Sequence, residues 1–234
     1  ALLDDPSSDP AFDPTVKDLL LDPAMSRPDS SLYSEIHPNR TSSVAGLASQ
    51  VPSNLDLEAL VWATVTHAGG RIALPDSGVS VTIPEAAIKK GTTEEMFIAV
   101  CRDDKDRPKL TDHQTVLGPV VVIGPPGLPL KKPVIISFTH CASIKHGQWA
   151  LFVYGSDTSY DEHPQWQMLS RLGEETINTP LYVQVDARAC HIMTEHLLRY
   201  VLVGEPSMAG KAVKVLRLAA FAPLNSAAAT TPAP

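Results

Sequence analysis

The sequence predicts an all-β fold: an antiparallel β-sandwich, preceded by a disordered acidic tail and followed by a truncated second β module. Three observations predict it. Between residues 61 and 205, short runs rich in Val, Ile, Phe and Tyr recur at close spacing, separated by Gly, Pro and Asp. Several of these runs alternate apolar and polar residues with the period of two that a half-buried strand requires. Proline, at 21 residues, outnumbers glycine at 13, which favours short, broken elements over long helices.

Charge divides the chain. Residues 1–60 hold ten of the 26 acids and three of the 19 bases (Lys17, Arg27, Arg40), which leaves sixteen of each for residues 61–234. The folded part is therefore neutral and the imbalance sits in the leader. No basic face is available to neutralise phosphates, so nucleic acid is not expected as a partner. The three cysteines, Cys101, Cys141 and Cys190, are odd in number and far apart, which points to a reducing compartment. No run approaches the roughly 18 apolar residues of a spanning helix, and no basic-then-apolar leader is seen, so the chain reads as soluble.

The elements follow in order. Residues 1–60, with a proline every few residues among Asp and Ser, cannot bury enough surface to offset chain entropy and read as a tail. From Val61, "VWATVTH" reads as a strand, "AGG" as a turn, and "RIAL" as a strand pairing back as a hairpin. In "PDSG", Pro75 suits the second position of a type I turn. Val79, Val81 and Ile83 then alternate with Ser80 and Thr82. Pro84 ends that strand and opens one helical turn, "PEAAIKK", with Glu85 near its start, Lys89 and Lys90 near its end, and Gly91 as the stop.

Further strands are expected at 94–101, 114–124, 133–141, 148–155, 165–171, 181–186, 190–194 and 198–204. Pro119 inside the second of these demotes it to an edge or a bulge, and "GPPG" (124–127) is a turn. Trp149 and Trp166 are expected in the core or at its rim, and Trp62 at one end of the sandwich. "EPSMAG" reads as a linker. "KAVKVLRLAAFAP" (211–223) alternates again, as the first strand of an unfinished module within residues 206–234, and "LNSAAATTPAP" reads as unstructured. "LLRYVLV" (197–203) and "VLRLAAF" (215–221) are the most apolar segments near that junction and are candidates for an exposed face.

Four stretches, "GGRIALPDSGVSVTIPEAAIKKG", "QTVLGPVVVIGPPGLPL", "PVIISFTHCASI" and "LLRYVLVGEP", together resemble the ZU-five domain of uncoordinated-five-type netrin receptors. The residues carrying the resemblance are Gly69, Gly70, Pro75, Gly78, Pro84, Gly91, Pro125, Gly127, His140, Cys141 and Gly204, read as structural positions. "KAVKVLRLAAFAP" is similar to the start of the UPA module that follows in those receptors. The resemblance implies a single-pass receptor on whose cytoplasmic side ZU-five, UPA and a death domain pack together. It also implies repulsive axon guidance, netrin-dependent control of apoptosis, and a place on the cytoplasmic side of the plasma membrane. Netrin would be reached only through an ectodomain that this chain lacks, and the UPA and death domains would be intramolecular partners. With a stub of UPA and no death domain, the chain reads as a fragment or a truncated product. Ankyrin-like and tight-junction-like scaffolds carry the same domain, and they are the alternative reading.

The chemistry-bearing residues point to contact rather than catalysis. His140–Cys141 and Cys190–His191 could suggest zinc, but neighbouring strand residues face opposite ways, so each pair offers one ligand and no metal site is expected. No nucleophile elbow, HExxH or phosphate-cradling loop occurs, so neither an enzyme nor a cofactor is expected. Related domains cut themselves at a His-Phe-Ser sequence; Phe138-Thr139-His140 has another order and no serine, so self-cleavage is not expected. In "SSLYSEI", Ser31, Tyr33 and Ile36 fit the S-x-Y-x-x-[IVL] pattern that tandem Src-homology-two phosphatases read once the tyrosine is phosphorylated. A kinase and a phosphotyrosine-reading phosphatase are thus the candidate partners at Tyr33. Asp103 and Asp106 fit a caspase D-x-x-D, but a solvated hairpin is the simpler reading of "DDKD". "NRT" (39–41) is a glycosylation sequon with no meaning in a cytoplasmic tail.

Overall fold

A computed structural model describes residues 33–36, 55, 57–74, 77–144, 148–207 and 211–219. The expectations for Ser31, Pro75, the "NRT" sequon and most of the two terminal segments lie outside these residues. Among the described residues twelve strands form two antiparallel sheets, the sandwich the sequence predicts. The strands are β1 (Leu60–Val65), β2 (Gly70–Leu74), β3 (Val79–Ile83), β4 (Glu94–Cys101), β5 (Thr115–Val116) and β6 (Val120–Gly124). They continue as β7 (Val134–Thr139), β8 (Trp149–Ser156), β9 (Gln167–Arg171), β10 (Tyr182–Val185), β11 (Ala189–Thr194) and β12 (Arg199–Pro206). One sheet runs β1-β4-β6-β12-β8-β9, with β5 also paired to β12; the other runs β10-β11-β7-β3-β2.

The core lies between the sheets. Val61, Met96, Ile98, Val121, Ile123, Tyr200 and Leu202 point inward from the larger sheet, and Ile72, Val81, Ile136, Phe138, Cys190 and Ile192 from the smaller one. Successive side chains face opposite ways, so the residues between these in sequence build the outer faces. On the larger sheet the outer residues are apolar as well. Leu60, Trp62, Phe97, Ala99 and Val122 form one buried outer cluster with Tyr160, and Val120, Phe152, Val201 and Val203 form another.

Several expectations change. The hairpin expected from "VWATVTH" and "RIAL" does not form, because β1 lies in the larger sheet and β2 in the smaller. Gly69 closes the turn onto the Thr66 carbonyl at 3.0 Å, and Gly70 then adopts φ 143°, which carries the chain across the rim between the sheets. A Cβ on Gly69 would fall 2.2 Å from the Ile83 carbonyl, so only glycine lets the crossing backbone come this close to β3. Trp62 accordingly lies within β1 on the outer face rather than closing the sandwich end.

Pro119 breaks the 114–124 run in two, but not at an edge. β6 is central, between β4 and β12, and all five of its residues are buried. The proline sits in the kink between β5 and β6, where Leu117 keeps a bond to the Leu202 carbonyl at 2.9 Å. The "PEAAIKK" stretch is not helical. Ala87 donates to the Pro84 carbonyl at 3.1 Å, and Ala86 has φ 66°, the left-handed third position of a type II turn. Finally, 197–203 is not an exposed face: β12 is sandwiched between β6 and β8 and its residues 199–204 are buried.

Candidate functional site

Of the motif around Tyr33, residues 33–36 are described, and they lie along the free edge of β2 as a short parallel addition to the smaller sheet. The Ile36 amide donates to the Arg71 carbonyl at 2.9 Å, and the Arg71 amide donates to the Ser34 carbonyl at 3.1 Å. Glu35 approaches the Arg71 guanidinium at 3.4 Å, an exposed pair of small energetic weight. Ile36 is half-buried against the main core and occupies the space a side chain on Gly70 would need: a Cβ there would lie 2.6 Å from Ile36 Cγ1. Tyr33 is half-buried, and Ser34 and Glu35 are exposed.

A second surface follows β12. Residues 211–219 lie against the end of the sandwich through an antiparallel bridge between Ala142 and Lys214. Ser143 donates to the Val213 carbonyl at 2.8 Å, Val215 donates to the Cys141 carbonyl at 2.7 Å, and Trp149 Nε1 donates to the Val213 carbonyl at 3.3 Å. Lys214 Nζ reaches Thr115 Oγ1 and the Val116 carbonyl. The segment is thus held by its backbone, while its apolar side chains face out: Val213 is 49% exposed, Val215 63%, Leu216 71% and Leu218 96%. The exposure expected for "VLRLAAF" holds over its described part, residues 215–219.

The signature residues have structural surroundings. Gly78, Gly91 and Gly127 occupy turns with positive φ, and Pro125 follows a cis bond after Gly124. Gly204 in β12 leaves room for Leu117 and Trp149, whose atoms would lie 2.5 and 2.8 Å from an added Cβ. His140 Nε2 pairs with the Asp186 carbonyl at 2.9 Å, and the Cys141 amide donates to the Leu117 carbonyl at 2.8 Å. Cys190 faces the core and His191 the outer side, as expected for neighbours on a strand. Burial pushes the Cys190 thiol up and keeps it protonated.

Asp103, Asp104 and Lys105 are exposed, as the solvated reading of "DDKD" expects, but Asp106 is not. Residues 104–106 form a 3-10 turn capped by the Asp103 carboxylate, which accepts from the Lys105 amide at 3.1 Å. Asp106 is only 7% exposed; its carboxylate accepts from Cys101 Sγ at 3.0 Å and its carbonyl accepts from Trp166 Nε1 at 3.1 Å. Burial, aided by the bond to Asp106, pushes the Cys101 thiol up to about 11.

Two groups escape sequence reasoning. Arg199 is buried on the outer side of β12, donating to the carbonyls of Thr158 (2.9 Å), Ser159 (3.1 Å) and Glu162 (3.5 Å), with its guanidinium 5.0 Å from the Tyr160 ring centre. A lone cation inside "LLRYVLVG" was the available signal. On the outer face of the smaller sheet, Ser137 Oγ lies 2.8 Å from His191 Nδ1, and His191 Nε2 lies 3.6 Å from the Asp186 carboxylate. The residue types suggest a nucleophile relay. However, Asp186 Oδ1 also accepts from the Arg188 and Ala189 amides at 2.7 Å, so this carboxylate braces the β10–β11 turn. No strand periodicity foretells the trio, because its members come from three segments joined only by sheet pairing.

Among the described residues no helix is long and apolar enough to cross a membrane. The family model for the ZU5 domain matches residues 61–157, from β1 to the end of β8. The matched span stops before β12, the strand that joins β6 to β8. Residues 61–157 are therefore similar to the ZU5 domain, a type of domain that mediates protein–protein interaction.

Proposed function

We propose that the chain is a cytoplasmic interaction module of a netrin receptor, working through contact surfaces and not through catalysis. The observation that carries this reading is the segment 211–219. It is fixed to the ZU5 sandwich by its backbone yet turns Val213, Val215, Leu216 and Leu218 outward. A neighbouring β module of the UPA type, and the death domain beyond it, would cover this apolar row, since large exposed patches generally mark contact surfaces. In this reading the sandwich lies at the cytoplasmic face of the plasma membrane, and Tyr33 is a phosphorylation site read by a tandem Src-homology-two phosphatase.

The test mixes the full chain with a separately made UPA–death-domain polypeptide. The Leu216→Asp/Leu218→Asp variant should bind it at least about tenfold more weakly, because each lost apolar side chain contributes on the order of 1–3 kcal/mol. Its thermal midpoint should be unchanged. Equal binding by variant and parent would overturn the assignment, and capture of a spectrin repeat instead would transfer the module to a cytoskeletal scaffold.

A further inference from the structure

β2 is the outermost named strand of the smaller sheet, and such edges present unpaired amides and carbonyls that accept an extended segment. In this chain the accepted segment is its own residues 33–36. Pairing through Ser34 and Ile36 closes one stretch of the edge, and Glu35 faces Arg71. The position is specific because Gly70, which has no side chain, leaves the space that Ile36 fills.

We propose that residues 33–36 are an intramolecular latch that hides the Tyr33 motif from its reader. This rests on the reading of Tyr33 given above. A phosphotyrosine-reading domain binds an extended segment and places the third residue after the phosphotyrosine, here Ile36, in an apolar pocket. Ile36 cannot occupy that pocket while it lies beside Gly70, and its amide cannot be free while it is bonded to the Arg71 carbonyl. Docking on β2 and recognition by the reader are therefore mutually exclusive. The apparent affinity for the reader falls by the fraction of chains with the latch open, so a latch closed in nine chains of ten weakens binding about tenfold. Undocking by a competing strand becomes a control on the phosphotyrosine signal.

Two measurements on the full chain test this. Hydrogen exchange of the unphosphorylated protein should show the Ile36 amide protected relative to an unstructured amide, and exchanging about two- to fivefold more slowly than in Arg71→Glu, which repels Glu35 but leaves the tail sequence intact. The charge swap Glu35→Arg/Arg71→Glu should restore protection, which separates the latch from general damage to β2. After phosphorylation of Tyr33 by a purified tyrosine kinase, Arg71→Glu should bind a tandem Src-homology-two phosphatase tighter than the parent by the same factor seen in exchange. An Ile36 amide that exchanges in the parent as fast as an unstructured amide overturns the latch. Equal capture of both phosphorylated chains overturns the masking while leaving Tyr33 as a phosphosite. Capture of neither rejects the Tyr33 reading and the masking built on it.

Discussion

The two sheets of the sandwich share an inner core but treat their outer faces in opposite ways. The larger sheet is covered on both sides over β4, β6 and β12, though not at its edge strand β9. Tyr160 donates its hydroxyl to the Ile123 carbonyl and meets Phe97 edge-on at 5.8 Å, and Arg199 fastens the same loop through three carbonyls. In the smaller sheet β2, β7 and β11 keep the alternation of a half-solvated sheet, with Ser137 and His191 on the outer side and the 33–36 segment at the edge, while β3 is buried at every position. Burial on both faces makes β6 and β12 near-continuous apolar runs, whereas one open face leaves β7 and β11 alternating. The difference teaches that apolar packing on both faces encloses the middle of the larger sheet, while the smaller one keeps polar surface and an edge that takes up residues 33–36.

Substitutions on the two outer faces should differ accordingly. Phe97→Ala removes a fully buried ring from the outer cluster of the larger sheet, and chemical denaturation should show a loss of about 3–5 kcal/mol. A loss below about 1 kcal/mol would mean that this face is not a true second core. Arg199→Met keeps the apolar stem but strands the Thr158, Ser159 and Glu162 carbonyls. It should cost about 1–3 kcal/mol and raise hydrogen exchange in residues 157–166 before global unfolding. Unchanged exchange there would show that the loop is held without the arginine. His191→Ala on the smaller sheet should fall within about 1 kcal/mol, with the thermal midpoint as the measure. A cost as large as that of Phe97→Ala would erase the contrast between the sheets.

Much of the fold was legible because strand sequences carry a period of two. Val79, Val81 and Ile83 alternate with Ser80 and Thr82, and β3 lies at those positions, but the polar face that the alternation predicts is not open: Ser80 and Thr82 are buried as well, because β3 lies inside the sheet between β2 and β7. The "AGG" turn was legible as a turn but not in its destination. Local residues specify that the chain reverses, while the choice between pairing in the same sheet and crossing to the other depends on what β1 and β2 meet, namely β4 and β3. Pro119 predicted a break but not the central position of β6, because edge or centre is decided by the distant strand β12. At the candidate site, Tyr33 and Ile36 stood out by spacing alone, whereas their docking depends on Gly70 and Arg71, more than thirty residues away.

The sequence by itself determined the class of fold, the positions of most strands, the neutral charge of the folded part and the apolar character of 213–218, since these follow from local composition and from periods of two. Tertiary structure alone decided which sheet each strand joined, and it buried Arg199 and Asp106. It also brought Ser137, His191 and Asp186 together and laid Ile36 beside Gly70. Each of these outcomes is a contact between segments far apart in the chain, and such contacts are selected by burial and hydrogen-bond satisfaction summed over the whole sandwich, a quantity that no single stretch of sequence contains.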